Sequence, residues 1–365
     1  MAVLVICCNL FFSERPCLAA VPNVTARSAI LYDRDTGEIL YEKNSHERRP
    51  PASTTKIMTG IIAVEMGSMK DKVVVSRYAA SKSGSSMYLR EGDVFTFEDL
   101  LWGTLLISGN DSSVALAEAV AGSETAFVEL MNKKAYLLGA FNTVFKNTSG
   151  LTKKGHVSTA YDLAVITDYA LDNPEFAKIV STKQKVISKV GSKKKRILNN
   201  TNRLLSSYQG ASGVKTGTTN AAGQCLVASA SRNDRQLISV VLRSGDRYWD
   251  SVRLLNHGFE DFMAVTIPKG TAVGTFYFGR GKPYQVDLIT VEEVCFSVSK
   301  EKLAEFDKLL VVDKPDLPLK GGEIVGYLEI DANLKHRIPV AVAGPVRKEN
   351  TADCIIKILE AIILE

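Results

Sequence analysis

The spacing of apolar residues changes several times along the chain, and each change predicts a different element. From Ser28 to Tyr41 apolar and polar residues alternate and break at Asp35-Thr36-Gly37, the pattern of a β-hairpin at a sheet edge. Over residues 54–64 the period lengthens to that of a helix, behind Pro50-Pro51-Ala52. Proline is tolerated before a helix or in its first turn. Helical spacing returns at 97–107, 113–121, 123–138 and 158–171, the last with a capping residue at Ser158 or Thr159. Strand-like runs at 226–231 and 237–243 then precede a closing helix at 249–262. A sheet made of the first and last segments, with a helical cluster between them, follows as the expected α+β architecture.

After about Met263 the texture changes to short strand-like runs at 266–273, 286–291, 294–298, 308–312, 323–328 and 340–343, punctuated by Gly and Pro. These predict a small all-β domain. Residues 3–12 are apolar and are followed by Leu18-Ala19-Ala20, which suits a cleaved export signal better than a membrane span, although no Lys or Arg precedes the run. At the other end Ile355, Ile356, Ile358, Leu359, Ile362 and Ile363 cover one face, opposite Asp353, Lys357 and Glu360. Such a helix suits a membrane interface and is too short to span. The same stripe also suits packing on the β-domain or self-association, and its excess of acid over base gives anionic lipid no electrostatic hold. The expected division is therefore a signal peptide at 1–20, a catalytic domain at 21–263, a β-domain at 264–350 and an amphipathic helix at 351–365.

A length of 365 residues accommodates two domains. The formal net charge of +5 is small for this size and gives no reason to expect nucleic acid. The run Lys193-Lys194-Lys195-Arg196 reads as a solvated hairpin tip, or as a contact for an anionic cell wall. Of the cysteines, Cys7, Cys8 and Cys17 lie in the expected leader, and Cys225, Cys295 and Cys354 make no disulfide framework. His46, His156, His257 and His336 are scattered, without a Gly-x-Ser-x-Gly elbow, and read as surface or structural residues. No His-Glu-x-x-His or paired Cys-x-x-Cys indicates zinc. Neither a metal nor a cofactor is expected.

The candidate chemistry lies in three ordered motifs: Ser53-Thr54-Thr55-Lys56, Ser108-Gly109-Asn110 and Lys215-Thr216-Gly217. Singly they are weak signals. Ser192 with Lys195, Ser297 with Lys300 and Ser299 with Lys302 share the first spacing, and Ser231 with Asn233 the second. Ser53 differs by its context at a helix N-terminus, where unpaired N–H groups favour developing negative charge. Lys56 lies about a turn further on the same face. A lysine acts as a base only when neutral, and burial or a neighbouring positive charge such as Lys215 lowers its pKa. Two tasks follow: Lys56 takes the proton of Ser53, and Lys215 stays charged to bind an anionic substrate group. Ser108 can pass a proton between nucleophile and leaving amine, and Asn110 can hold a peptide-like substrate or orient Lys56.

On these motifs, with Ala29-Ile30-Leu31-Tyr32-Asp33, Gly37, Asn199-Asn200-Thr201-Asn202 and residues 223–229, the chain resembles a known family. These are the low-molecular-mass penicillin-binding proteins of the serine D-alanyl-D-alanine carboxypeptidase kind, peptidase family S11, here with Ser-Gly-Asn in place of Ser-Asp-Asn. The likeness extends over roughly residues 21 to 350. It implies a β-lactamase/transpeptidase-like catalytic domain and a β-domain that holds it off the membrane. It implies Ser53 as acylated nucleophile, Lys56 as proton acceptor, and Ser108 and Asn110 as the second active-site element. Lys215, Thr216 and Gly217 would line the cleft as a substrate-binding strand, the N–H groups of Ser53 and Thr218 forming the oxyanion hole. Arg247 would meet the terminal carboxylate of the peptide, with Arg243 near enough to compete for that role.

The resemblance further implies hydrolysis of the terminal D-Ala-D-Ala bond of the peptidoglycan stem pentapeptide through an acyl-enzyme, and inhibition by β-lactam antibiotics. The enzyme would be exported to the outer face of the cytoplasmic membrane or the cell wall, with its C-terminal helix on the membrane surface. A D,D-endopeptidase acting on cross-links is the closer alternative. A β-lactamase of class A would need a glutamate between the second and third motifs, and no Glu-x-x-Leu-Asn occurs there. A non-catalytic wall-binding protein is disfavoured by the intact Ser53, Lys56, Asn110 and Lys215.

Overall fold

A computed structural model describes residues 2–4, 21–302, 308–313 and 316–356. The expected leader lies outside the described residues except for Ala2–Leu4, a strand paired with Lys308–Val312. The expected C-terminal helix lies outside them beyond residue 356. The described chain forms two compact units that divide after Glu260.

In chain order the first unit contains β1 (Ser28–Asp33), β2 (Ile39–Lys43), α1 (Lys56–Met66), α2 (Phe97–Leu106), α3 (Asn110–Ala121), α4 (Glu124–Leu137), α5 (Ala160–Leu171) and α6 (Pro174–Ser181). It continues with β3 (Gln184–Ser188), β4 (Lys195–Asn199), β5 (Ala211–Thr219), β6 (Gly223–Arg232), β7 (Arg235–Ser244) and α7 (Arg247–Asp261). Five strands form one antiparallel sheet in the order β2-β1-β7-β6-β5. Its first and last segments therefore meet, with Ser28 opposite Leu242 and Asp33 opposite Leu237.

The central strands are buried on both faces, which is why Leu226, Val227, Leu237, Ile238, Val240 and Val241 read as near-continuous apolar runs. Helix α5 packs on β7 and β1, and α6 on β5. On the other side α7 comes so close that a methyl at Gly258 would lie 2.5 Å from Leu237 and 2.9 Å from Leu31. Within the helical cluster α1 is apolar all round, with Ile57, Met58, Ile61 and Ile62 sealed from solvent, as a helix at the centre of a core must be. Side-chain caps set the starts of its neighbours. Thr96 accepts from the Asp99 N–H at 3.1 Å, and Thr159 rather than Ser158 caps α5 by accepting from Asp162 at 2.9 Å. Asn173 caps α6, with Pro174 as its first residue.

Three boundaries differ from expectation at the functional segments. Ser53 lies in a 3₁₀ turn, Ala52–Thr55, ahead of α1. Helix α3 starts at Asn110 rather than 113, so Ser108 and Gly109 form the connection and Asn110 opens the helix. The reason is polar: Asp111 is buried and accepts from the Met87 and Leu89 N–H groups at 2.9 and 3.0 Å. An apolar period does not register such a turn. Helix α7 begins at Arg247, ahead of the expected 249.

The second unit is built on an antiparallel sheet in the order Ala2–Leu4, Lys308–Val312, Ile324–Asp331, Lys335–Val342, Gln285–Thr290, Ala272–Tyr277. Phe262–Ile267 pairs separately with Val294–Ser299. Its own core includes Leu288, Phe296, Val298, Ile330, Ile338 and Val340. The single strand expected at 266–273 is two strands. Pro268 and Gly270, at φ +82°, break it into a turn closed by a bond from the Thr271 hydroxyl to the Pro268 carbonyl.

Candidate active site

The three motifs converge on one amine. Lys56 is fully buried, and its Nζ lies 2.7 Å from Asn110 Oδ1, 2.7 Å from the Ser149 carbonyl oxygen and 3.3 Å from Ser53 Oγ. The orientation of the Asn110 amide is set from its other end, because its Nδ2 donates to the Ser83 carbonyl at 2.7 Å. Oδ1 and the Ser149 carbonyl can only accept. A neutral amine has two protons and one lone pair, so these two acceptors take both protons. In that neutral form the lone pair is left for the Ser53 hydroxyl, 3.3 Å away. Burial pulls the Lys56 pKa well below its ordinary value, the charge of Lys215 adds to this, and Asp111 opposes it. The amine is thus both desolvated and oriented.

The turn carrying Ser53 is held under constraint. Ala52 adopts φ +50°, a conformation costing on the order of 1 kcal/mol in a residue with a Cβ. The loop at Gly150, φ +83°, presses against it, since a methyl there would sit 1.8 Å from the Ala52 carbonyl oxygen. That loop is shaped by Asn147, whose Oδ1 accepts from the Gly150 N–H at 2.7 Å and the Ser149 N–H at 3.2 Å. It is tied to α1 by the Thr59 hydroxyl, which donates to the Thr148 carbonyl at 2.7 Å. The Ser149 carbonyl therefore reaches Lys56 from a fixed position.

Across from this turn, β5 presents Lys215, Thr216 and Gly217. Glycine is required at 217: a Cβ would come within 2.8 Å of the Ser53 nitrogen and 3.1 Å of the Thr54 nitrogen. The strand backbone and the Ser53 N–H are thereby neighbours, the arrangement an oxyanion hole needs. Lys215 is also buried, with Nζ 3.2 Å from the Thr216 carbonyl, and burial together with Arg247 lowers its pKa to about 7. An arriving carboxylate supplies the negative charge that favours its protonated form. Arg247 rather than Arg243 belongs to this group, donating to the Gly217 carbonyl at 3.0 Å and to Thr218 Oγ1 at 2.8 Å. Arg243 is exposed and reaches the Ala221 carbonyl.

Ser108 adopts φ +64° and is 6 % exposed, and among the described residues its buried hydroxyl has no hydrogen-bond partner. Buried hydroxyls are normally satisfied, so this one keeps both its proton and its lone pairs available. The segment Asn199-Asn200-Thr201-Asn202 joins the parts. The Thr201 hydroxyl is 2.8 Å from that of Thr216, its N–H donates to Leu106 at the end of α2, and Asn202 donates to the Gly213 carbonyl at 2.6 Å.

Sequence reasoning did not single out Ser149, Asp111, Ser83 or Thr148. Three act through backbone carbonyls, which leave no signature in residue type. The Asn147-Thr148-Ser149-Gly150 cluster carries a turn signal, the one clue available. His156 is structural but close to the chemistry. Its Nδ1 accepts from the Lys146 N–H at 3.2 Å, which makes Nε2 the donor to the Thr55 hydroxyl at 2.9 Å, immediately beside Lys56. Burial, with smaller contributions from Lys146, Lys153 and Lys56, depresses its pKa to about 4. Between 6.5 and about 4 the unfolded chain binds a proton that the folded one refuses, so stability falls as pH falls across that window. This amounts to on the order of 3 kcal/mol, complete below pH 4. Urea denaturation of His156→Gln from pH 7 to 4 is expected to show that part of the slope removed. An unchanged slope would contradict the assignment.

Comparison with known proteins follows the same lines. The family model for D-alanyl-D-alanine carboxypeptidases, peptidase S11, matches residues 16–245. D-alanyl-D-alanine carboxypeptidase DacF of Bacillus subtilis is 38 % identical over 336 residues, covering 88 % of this chain and 86 % of the relative. The crystal structure of penicillin-binding protein 5 from Haemophilus influenzae superposes with a TM-score of 0.74 at 30 % identity, covering 90 % of this chain and 100 % of that one. The Streptomyces K15 DD-transpeptidase, at TM-score 0.64 and 34 % identity, covers 66 % of this chain and 100 % of its own.

Proposed function

The chain belongs to the D-alanyl-D-alanine carboxypeptidase family of serine peptidases, and from that premise we propose that Ser53 attacks the penultimate carbonyl of the peptidoglycan stem pentapeptide. The protein is a serine-type D-Ala-D-Ala carboxypeptidase, and the roles of its residues follow from the site's chemistry. Lys56 takes the Ser53 proton as Oγ bonds to the carbonyl carbon. The N–H groups of Ser53 and Thr218 receive the oxyanion. The C–N bond breaks, and the proton held by Lys56 passes through Ser108 to the departing D-alanine nitrogen. Lys215, Thr216 and Arg247 bind the terminal carboxylate that distinguishes this substrate. Water then attacks the ester, giving a proton to Lys56; the bond from the carbonyl carbon to Ser53 Oγ breaks, Lys56 returns the proton to Oγ, and the shortened peptide leaves. A β-lactam enters by the same attack and stays as an adduct.

The observation that carries this reading is the placement of buried Lys56 Nζ, 2.7 Å from two obligate acceptors, Asn110 Oδ1 and the Ser149 carbonyl, and 3.3 Å from Ser53 Oγ. Among the described residues no carboxylate hydrogen-bonds to Ser53 or Lys56, and both oxygens of Asp111 are occupied by Ser86, Met87, Leu89 and Ser112. Nothing there is poised to speed deacylation as a β-lactamase requires. The test is D-alanine release from diacetyl-Lys-D-Ala-D-Ala together with the lifetime of a penicillin adduct. Release with a long-lived adduct is expected. Rapid penicillin turnover without release would overturn the assignment.

The wall substrate supports export to the outer face of the cytoplasmic membrane. Among the described residues no helix is long and apolar enough to cross a membrane, and the C-terminal segment supplies a surface anchor. Its helix starts with a reciprocal cap, Asn350 Oδ1 accepting from the Asp353 N–H and Asp353 Oδ2 from the Asn350 N–H, each at 3.0 Å. Ile355 and Ile356 are 53 % and 49 % exposed just beyond it. Deleting residues 351–365 is expected to move the enzyme from the membrane to the soluble fraction with D-alanine release unchanged. Retention on membranes would place the anchor elsewhere.

A further inference from the structure

The basic residues of this chain are unevenly placed. From Phe176 to Asn233 there is no Asp or Glu among eleven Lys and Arg, whereas the whole chain carries an excess of only five. The rest of the chain is therefore net acidic. The acid-free stretch is the one that builds the β3–β4 hairpin, the Thr201 segment and β5 with Lys215.

The hairpin pairs Gln184 with Asn199 through to Ser188 with Lys195. Its inner side is fastened to residues 87–102. Arg196 donates to the Met87 carbonyl, Lys189 pairs with Asp93, and Lys185 pairs with Glu98 at 3.2 Å and lies over the Trp102 ring. These acids neutralise two lysines. Lys193, Lys194 and Lys195 on the same hairpin, and Lys183 just before it, are exposed, and among the described residues none has an acidic partner. Six residues beyond Lys195, roughly 20 Å of extended chain, the strand arrives at Thr201 and its bond to Thr216. Three of these lysines thus cluster at the tip, and Lys183 lies at the base, where its carbonyl accepts from the Asn200 N–H next to Thr201. Such a cluster concentrates anions and attracts a polyanion long enough to reach the base as well.

We propose that the β3–β4 hairpin docks an anionic cell-wall polymer, a strand bearing repeated phosphate or carboxylate groups, and so brings wall-attached peptides to the cleft. A lipid surface fits the hairpin less well. Its only exposed apolar pair is Val186 and Ile197, directly opposite each other, whereas an interfacial element buries a broad apolar face. The delivery role rests on the carboxypeptidase reading. The binding itself does not require Ser53, so the two can fail separately.

The test is the retention of Ser53→Ala protein on immobilised long-chain polyphosphate, with and without Lys193→Gln, Lys194→Gln and Lys195→Gln combined. Correct folding is verified by penicillin labelling of the triple variant with Ser53 intact. The parent is expected to bind with an affinity that falls steeply with salt. The triple variant should bind about tenfold more weakly at low salt, and its log–log salt slope should shrink by about two units, as the loss of three counterion-releasing contacts requires. On intact wall material the kcat/KM of the triple variant with Ser53 intact should drop while diacetyl-Lys-D-Ala-D-Ala is cleaved as before. Equal retention and slope for parent and variant would overturn the proposal. So would binding to phosphatidylglycerol vesicles without binding to polyphosphate, because the partner would then be lipid. Polyphosphate binding without D-alanine release from either substrate would sink the catalytic reading and leave the docking surface standing.

Discussion

Ser53→Ala is expected to lower D-alanine release by about 10⁵- to 10⁶-fold and to abolish labelling by a fluorescent penicillin, because loss of a nucleophile removes the whole acylation pathway. The fold should survive. The substitution removes one oxygen from a half-buried position, while Lys56 keeps its bonds to Asn110 and Ser149. The strained Ala52 and the close approach of Gly150 and Gly217 depend on backbone and not on the Ser53 hydroxyl. A labelling gel and release kinetics on the variant decide the matter. Persistent labelling would refute Ser53 as the nucleophile and direct attention to Ser108, whose hydroxyl is unpaired.

Lys56→Arg separates a proton acceptor from a mere positive charge. A guanidinium keeps the charge and the donors but does not deprotonate in a protein, whereas burial and Lys215 pull the Lys56 pKa well below its ordinary value. Both Lys56→Arg and Lys56→Ala should therefore reduce acylation by about 10⁴-fold, the upper range for general base catalysis. Stopped-flow acylation rates measure it. An arginine variant within tenfold of the parent would mean that Lys56 acts through its charge, and the lone-pair argument would fall.

Much of this molecule was legible before any coordinates. Elements carried by apolar periodicity, such as α1 and the strands β6 and β7, stand close to where their patterns put them, because burial itself creates the pattern. Elements carried by polar bonds were not legible. The first turn of α3 is held by the Asp111 carboxylate, and the turn at Ala52–Thr55 by backbone contact with Gly150. Helix α6 begins with an Asn-Pro cap at residues 173 and 174 that propensity rules favour, yet its eight residues are too few to show a period. Within the site, the motifs named Ser53, Lys56, Asn110 and Lys215, and the structure brings them together. What the motifs left out is the machinery that makes Lys56 a base. The Ser149 carbonyl takes one of its protons, Ser83 orients Asn110 to take the other, and Asn147 shapes the loop that delivers Ser149. A carbonyl oxygen is common to every residue, so its position is information that only the fold contains. The choice between Arg243 and Arg247 likewise needed the third dimension, since both lie within a few residues of the end of β7.

The central claim is a covalent acyl-enzyme on Ser53, and intact mass of the purified protein during incubation with benzylpenicillin, followed by peptide mapping, tests it most directly. A single adduct of penicilloyl mass, decaying slowly and located on the peptide containing Ser53, is the predicted result. An adduct on any other residue, or unmodified protein after prolonged incubation, would contradict the account.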